Sequence, residues 1–565
     1  MINTKTPVGI GIQDFSKLRE CHNFYIDKTP FIKEWWESSD DVTLITRPRR
    51  FGKTLNMSML ENFFSMDYAG RGDLFEGLSI WKEEKYRNLQ GTYPVISLSF
   101  ARVKETDFES TKRRIIELLT LQFEKYSFLT KSDKLSQNEK EYMCRMAREM
   151  DSFEAVSALH RLSDYLYRYY DKKVIILLDE YDTPMQEAYV HGFWDEMVAF
   201  TRNLFNSTFK TNPYIGRAIM TGITRVSKES VFSDLNNLKV VTTTSNEYAT
   251  SFGFTEEEVF AALDDRGMSE EKENVKKWYD GFVFGEHKDI YNPWSILNFL
   301  ATGKYTAYWA NTSSNSLVGK LIREGSSQLK TSFETLLRGE SIICPIDEQI
   351  VYNQLNGSKA AVWSLLVASG YLKVLDYEDM KKVERIPNYE LTITNGEVRI
   401  MFESMVKGWF DEAEEEYSNF VTALLLNDLD AMNEYMNDVA FRIFSYFDTG
   451  SNPSKSQPER FYHGFVLGLL VELKGRYQIT SNRESGFGRY DIMLEPVKPE
   501  SDDAIIIEFK VFNPRKESSL EDTLTSALSQ IEEKKYEETL ISKGIPKEKI
   551  RKYGFAFEGK NVLIG

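Results

Sequence analysis

The sequence predicts an α/β protein of several domains, built on a parallel β-sheet with helices over both faces. Three observations predict it. Buried-type apolar runs at 42–45, 94–100, 174–178 and 214–222 alternate with helix-patterned stretches. A tight loop, Arg47-Pro48-Arg49-Arg50-Phe51-Gly52-Lys53-Thr54, joins the first run to a helix-like segment. A second group of strand-like runs, carrying charged residues, follows a Ser/Asn/Pro-rich break at 450–458. Strands that alternate with helices pair in parallel, because each crossover lays a helix on a sheet face.

The bulk numbers set the frame. At 565 residues the chain exceeds one hydrophobic core, so about three or four domains are expected. It is 42% hydrophobic and 28% charged, an ordinary globular balance, and its 15 Pro and 32 Gly leave little for disordered linkers. Cys21, Cys144 and Cys344 stand far apart and match no metal spacing. They suit a reducing, cytoplasmic setting and argue against a disulfide framework. No basic-then-apolar leader is present, and no apolar run reaches the ~20 residues of a membrane span. The longest, Phe461–Leu473, is broken by His463 and Glu472. No membrane partner is expected. The formal charge of -16 argues against nucleic-acid binding over the whole surface but leaves a local basic groove open.

Taken in order, residues 8–30 form a short leader with turns. Val42-Thr43-Leu44-Ile45 is a buried-type strand running through Thr46 into the loop, and Leu55–Phe64 is helix-like. Residues 94–100 give a second strand. Residues 107–170 are helical, with Ile115, Leu118, Leu119 and Phe123 at 3.6-residue spacing. Val174–Leu178 is a third strand ending in Asp179-Glu180, followed by a helix at 192–209 and a fourth strand at 214–222. From Thr255 to about Gly325 the chain reads as helices. Thr255 serves as first N-cap and Glu256, Glu257 and Glu258 occupy the first turn. Residues 326–440 mix short helices with strand-like pieces at 371–374 and 389–393. Beyond the break come a helix over Glu459–Leu473, strands near 477, 490 and 505, a helix at 520–536, and strands near 553 and 561.

Strand, tight loop, Gly-Lys-Thr and helix form the layout of a phosphate-binding loop. Amides at the helix N-terminus cradle phosphates, Lys53 reaches the terminal phosphates, and the Thr54 hydroxyl holds Mg²⁺. The usual first glycine is Arg47. Arg47, Arg49 and Arg50 contact phosphate, contact a partner, or are solvated. Phe51 and Gly52 complete the loop. Asp179, at a strand end, is placed to bind Mg²⁺ directly or through water. Glu180 is placed to orient and deprotonate a water attacking the γ-phosphate. Thr221 is the candidate γ-phosphate sensor. Arg225 either stabilises transferred charge, in its own site or a neighbour's, or pairs with surface acids.

The C-terminal runs carry a second constellation. Asp491 lies within 488–494, and Glu508 and Lys510 lie on the run 505–511. Residues two apart on a strand share a face, so Glu508 and Lys510 point together. Two carboxylates and a lysine suit a Mg²⁺ site, with Mn²⁺ as a substitute, where a water is activated and phosphate charge is offset. Lys510 would position that water or stabilise transition-state charge. Glu459 and Gln530 are candidates to complete the site from flanking helices. His463, one helical turn after Glu459, lines this site or packs. The alternative for the whole set is two ion-paired strands on a half-buried sheet. His22, His160, His191 and His287 form no ligand spacing and are expected to be structural.

The loop, together with Leu-Leu-Asp-Glu-Tyr-Asp-Thr-Pro at 177–184, resembles a family of bacterial and archaeal AAA-like ATPases that typically end in a PD-(D/E)xK nuclease-like domain. Asn23–Thr29, Thr221–Lys228, Trp278–Phe282 and Tyr291–Ser295 are similar to the family's start, sensor strand and lid. The Arg-Pro-Arg-Arg loop is itself a family form. The resemblance implies a P-loop NTPase core at 1–254, a helical lid at 255–325, a mixed α/β or winged-helix-like region at 326–450, and an α/β restriction-endonuclease-like domain at 451–565. It implies ATP and a divalent metal as cofactors and nucleic acid as partner, DNA favoured over RNA, in defence or mobile-element biology. A homo-oligomer would give Arg225 a place at a subunit boundary. Two further readings stay open: a signalling ATPase whose C-terminal domain binds nucleic acid or protein without cutting, and a scaffold whose assembly the nucleotide controls.

Overall fold

The apolar run at 42–46 becomes strand β1 (Val42–Thr46), buried at all five positions. Its interior threonine is accommodated because Thr43 Oγ1 accepts the Trp35 indole N–H at 3.3 Å. Strands β2 (Val95–Ser99), β3 (Val174–Asp179), β4 (Ile215–Gly222) and β5 (Leu238–Val241) join it in a parallel sheet ordered β2-β3-β4-β1-β5. Thus β4 lies between the loop-bearing β1 and the acid-bearing β3. Helices 53–64, 108–125, 137–146, 152–170, 183–191 and 194–209 make the connections. Ser136 and Asp151 start two of them with capping boxes, each pairing reciprocally with the glutamate three residues on.

In this computed structural model the described residues are 6–224, 231–232, 234–310, 316–323, 327–346, 359–377, 388–408, 414–447, 466, 469–473, 475–481, 484–485, 488–489, 491–514, 516–558 and 561–565. The chain divides into two units, Met1–Leu321 with Gly339–Met401, and Ile322–Arg338 with Phe402–Gly565. Two of the three cuts, after 338 and after 401, fall inside the stretch 326–450, and the third, after 321, falls just before it.

The first unit also contains two small sheets. The stretch expected as helices from Thr255 holds a three-stranded one: β6 (Phe254–Thr255), β7 (Phe282–Phe284) and β8 (His287–Tyr291), ordered β6-β8-β7. The reason is local. Aromatic and β-branched residues flank Gly285, whose φ of +57° turns the hairpin. Thr255 caps the helix Glu256–Asp265 as expected, in a capping box with Glu258. The other sheet is antiparallel, ordered β10-β11-β9, from β9 (Ile342–Pro345), β10 (Leu372–Tyr377) and β11 (Asn388–Ile393), with helix Lys359–Ala368 beside it.

The second unit is built on a mixed sheet, β12-β15-β16-β17-β18. Its strands are β12 (Tyr477–Ser481), β15 (Ile492–Pro496), β16 (Ala504–Val511), β17 (Ile550–Glu558) and β18 (Asn561–Ile564); a two-residue hairpin, β13 (Glu484–Ser485) with β14 (Gly488–Arg489), lies outside it. Strands β16 and β17 are parallel, and helix Leu520–Glu533 lies on the crossover between them. Both faces are covered. Ile505, Ile507 and Phe509 pack with Phe420, Leu424 and Met436. Ala504 and Ile506 pack with Ile531, Tyr536 and Leu540 on the other face. Most of the helix expected over Glu459–Leu473 lies outside the described residues; Leu470–Leu473 forms one 3₁₀ turn.

Candidate active sites

The loop after β1 sorts its backbone groups by side. The carbonyls of Arg47 and Pro48 each accept Lys53 Nζ at 2.9 Å. The Arg49 carbonyl accepts Trp309 Nε1 at 3.0 Å and Asn292 Nδ2 at 3.3 Å. The Phe51 carbonyl accepts the Gly253 amide, and that of Gly52 accepts the Asn56 amide. The amides of residues 49–54, by contrast, donate to no protein acceptor among the described residues. Positive φ at Arg50 (66°) and Gly52 (82°) produces this arrangement. Successive free amides at a helix start form a concave anion site.

Arg47 faces neither phosphate nor solvent. It is fully buried, and its guanidinium donates to the carbonyls of Thr46 (2.9 Å), Thr242 (2.7 Å) and Glu247 (3.2 Å). It also sits 4.7 Å from the Phe284 ring centre. Burial pushes its pKa down to about 9. The residue in the place of the first glycine therefore fastens the loop to the segment after β5.

Within the cradle, Lys53 is buried, and desolvation lowers its pKa while Glu180, Asp179 and Asp182 oppose the shift. Thr54 Oγ1 donates to Asp179 Oδ2 at 2.7 Å, and the Thr221 hydroxyl donates to Asp179 Oδ1. Burial raises the Asp179 carboxyl, against the pull of those two hydrogen bonds. Glu180 follows at φ 51°, its amide 3.4 Å from Thr221 Oγ1 and its carboxylate 3.4 Å from Thr183 Oγ1. Arg49 is half-buried and donates to Gln186 Oε1 at 3.2 Å. The side chains of Arg50 and Phe51 pack on aromatic rings. The Arg50 guanidinium lies 4.3 Å over the Trp294 ring, and the buried Phe51 ring packs edge-on against Phe282 and Phe284. Arg225 lies outside the described residues.

The sequence reading did not single out Asp182. Its buried carboxylate oxygen Oδ2 accepts the amides of Ile223 (3.0 Å) and Thr224 (2.9 Å), the Thr224 hydroxyl (2.9 Å) and Gln186 Nε2 (3.1 Å). A Cβ at Gly222 would stand 2.8 Å from Asp182 Oδ1, so that strand end must be glycine. The one available signal was an Asp directly before Thr-Pro at a helix start.

The C-terminal residues converge too. Ile492 pairs with Ile507, which puts Asp491 and Glu508 at the next register position of β15 and β16. Asp491 is not inside a strand as expected: it occupies a bend just ahead of β15, and Oδ2 accepts the Phe509 amide at 2.8 Å. Glu508 is 2% exposed. Lys510 Nζ stands 3.7 Å from Glu508 Oε1, and Gln530 Nε2 donates to the same oxygen. Gln530 also reaches the Tyr536 hydroxyl at 3.1 Å. Glu459 and His463 lie outside the described residues.

At both sites the donors fit a hard divalent cation: the Thr54 hydroxyl with the Asp179 carboxylate, and the carboxylates of Asp491 and Glu508. A third acidic group, Glu256, Asp280 and Asp289, brings carboxylate oxygens within 4.8 Å of one another, but Lys276 pairs with both Glu256 and Asp289.

Residues 9–232 match the family model described as a predicted AAA-ATPase, and residues 457–565 match that of the PD-(D/E)XK nuclease superfamily. An uncharacterized protein in the vnfD 5′ region of Azotobacter chroococcum mcd 1 is 24% identical over 489 residues, covering 83% of this chain and 86% of that protein. Among solved structures, a signal transduction ATPase with numerous domains and a tetratricopeptide repeat sensor, from Pyrococcus horikoshii, aligns with 80% of this chain at 14% identity and TM-score 0.25. The alignment spans 54% of that protein's length. The Aeropyrum pernix ORC2 protein, solved in ADPNP–ADP complexes, aligns over 71% of this chain and 97% of its own, at 9% identity and TM-score 0.23. No helix among the described residues is long and apolar enough to cross a membrane. The chain carries an AAA-type ATPase domain within residues 9–232 and a nuclease-like domain of the PD-(D/E)XK superfamily within residues 457–565.

Proposed function

We propose that the chain hydrolyses ATP with Mg²⁺ at the N-terminal site, and that this cycle gates a metal-dependent phosphodiesterase at the C-terminal site. The substrate is nucleic acid, DNA favoured over RNA, in the cytoplasm and in the service of defence or mobile-element biology. One observation carries the reading: the amides of residues 49–54 have no protein acceptor among the described residues, while the carbonyls around them do. Such a loop offers main-chain donors to an anion.

The roles follow from position. The amides and Lys53 bind the β- and γ-phosphates. Thr54 and Asp179 would hold Mg²⁺, which would offset phosphate charge when bound. Glu180 orients the attacking water and takes its proton. Thr221, already bonded to Asp179, positions that carboxylate and senses the γ-phosphate beside it. At the second site Asp491 and Glu508 would hold the metal, which would neutralise phosphate charge when bound. Lys510 aligns the attacking water and Gln530 fixes the Glu508 carboxylate.

A second reading has its own support. Glu508 is nearly inaccessible behind Gln530, and the chain's charge is -16. The first suits a C-terminal domain that binds nucleic acid or protein without cutting, and the second favours protein over nucleic acid as what it binds. The test is a nuclease assay over single- and double-stranded DNA and RNA, with and without ATP, using Lys53→Ala and Lys510→Ala in parallel. The gated-nuclease reading expects cutting with Mg²⁺ or Mn²⁺ that Lys510→Ala abolishes and that loses its ATP response in Lys53→Ala. No cutting of any substrate by the wild type would give the second reading precedence.

A further inference from the structure

We infer that Gln186 competes with a nucleotide's terminal phosphate for the Arg49 guanidinium, and so sets how strongly the site prefers ATP over ADP. The inference rests on the ATP reading of the loop and adds a specificity-determining residue to it.

Arg49 belongs to the loop itself. Its guanidinium makes a single hydrogen bond and no ion pair among the described residues, and that bond is to the neutral Gln186 amide at 3.2 Å. Its charge is close enough to Lys53 to act on that ammonium. Arg49 and Lys53 are thus two loop cations that act on one another, and Lys53 also has the carboxylates of Glu180, Asp179 and Asp182 acting on it. A half-buried guanidinium offers five N–H donors, and most of these remain available for an anion.

The orientation of Gln186 is fixed chemically. Its Nε2 donates to Asp182 Oδ2 at 3.1 Å, and a carboxylate can only accept. Its Oε1 must then face Arg49. Asp182 cannot turn away, because Ile223 and Thr224 hold the same oxygen. Arg49 thus meets a rigidly aimed but neutral acceptor. A phosphate oxygen is a charged one, and charge-assisted hydrogen bonds are roughly twice as strong as neutral ones. A γ-phosphate draws Arg49 from Gln186. ADP, which ends one phosphate short, leaves the Arg49–Gln186 bond in place. Gln186 acts through Arg49 and is a positioning residue.

The test measures calorimetric affinities for ADP and for a non-hydrolysable ATP analogue in the full chain. Gln186→Glu gives Arg49 a competing carboxylate. It is expected to weaken analogue binding about tenfold while ADP stays within about twofold. Gln186→Leu removes the competitor and is expected to tighten the analogue about threefold, again without moving ADP. Gln186→Met repeats that test if the leucine variant melts early. Arg49→Ala should erase the preference and make the Gln186 variants silent. Equal shifts for both nucleotides, or an unchanged ratio in Arg49→Ala, overturn the inference while leaving the ATP reading intact. A wild type that binds neither nucleotide overturns both.

Discussion

Thr54 and Asp179 stand 125 residues apart in the chain and meet at 2.7 Å, hydroxyl to carboxylate, across the intervening β4. The contact joins the helix end of the loop to the strand that carries the acids.

Thr54→Val removes one of the two oxygens proposed for Mg²⁺. ATP affinity measured with Mg²⁺ is expected to fall about tenfold, the worth of one charge-assisted ligand. Affinity in EDTA should change little. An equal loss in both conditions would place Thr54 outside the metal site.

Glu180 has a different role. Glu180→Gln keeps the shape and loses the base, so phosphate release should fall by ~10²–10⁴ while ATP binding persists. Turnover and equilibrium binding, measured on the same preparation, separate the two effects.

Arg47 yields a stability prediction. Arg47→Met leaves the carbonyls of Thr46, Thr242 and Glu247 without their donor. A loss of roughly 2–4 kcal/mol is expected, since each buried group deprived of its partner costs about 1–3 kcal/mol and part of the loop relaxes. Arg47→Gly, which restores the usual loop residue, should be no more stable than the methionine variant. Urea unfolding midpoints decide it.

Glu397 gives a pH dependence. Its carboxylate, 1% exposed, accepts the Trp309 amide, the Ala310 amide at 3.2 Å and Ser295 Oγ at 2.8 Å, yet burial lifts its pKa from 4.5 to about 7. The folded value is the higher one. Between roughly pH 4.5 and 7 the folded chain therefore keeps a proton that the unfolded chain has released, and stability falls as pH rises through that window. The span corresponds to roughly 3 kcal/mol at most. Glu397→Gln keeps an acceptor for the two amides and turns its NH₂ toward Ser295. The loss in melting temperature from pH 5 to pH 8 should shrink accordingly. Asp280, which burial and Asp289 also raise to about 7, sustains the remainder.

In the C-terminal domain, Gln530→Leu should lower metal-dependent cutting ~10–100-fold by freeing Glu508, the usual effect of losing a residue that orients a ligand. EDTA should abolish cutting in both proteins. Cleavage that survives EDTA would remove the metal from the mechanism.

What the sequence disclosed tracks the range of each interaction. Lys53, Thr54 and Asp179 were legible because strand, loop and helix are local patterns, and a carboxylate closing an apolar strand has few roles. Glu508 and Lys510 were legible from the two-residue period of a strand. Gln530 could be named from its helix, although its bond to Glu508 depends on the crossover. Arg47 was opaque, because its partners Thr242 and Glu247 lie 195 and 200 residues away. Three charged loop residues looked alike in sequence, and each met a different environment: carbonyls for Arg47, an amide for Arg49, an indole for Arg50. Asp182 hid for the same reason, since Ile223 and Thr224 reach it only once β3 and β4 are adjacent. The β7–β8 hairpin was missed because its strands are short and sit among helix-like residues.

The Arg49 carbonyl, held by Trp309 and Asn292, has one more consequence. A peptide unit is a rigid plane, so pinning its oxygen from behind also aims the following N–H forward. The grip proposed for the loop on phosphate would therefore be set partly by an indole 260 positions along the chain. Trimming Trp309 would let that plane swivel, and the site would lose affinity with every residue of the loop left in place.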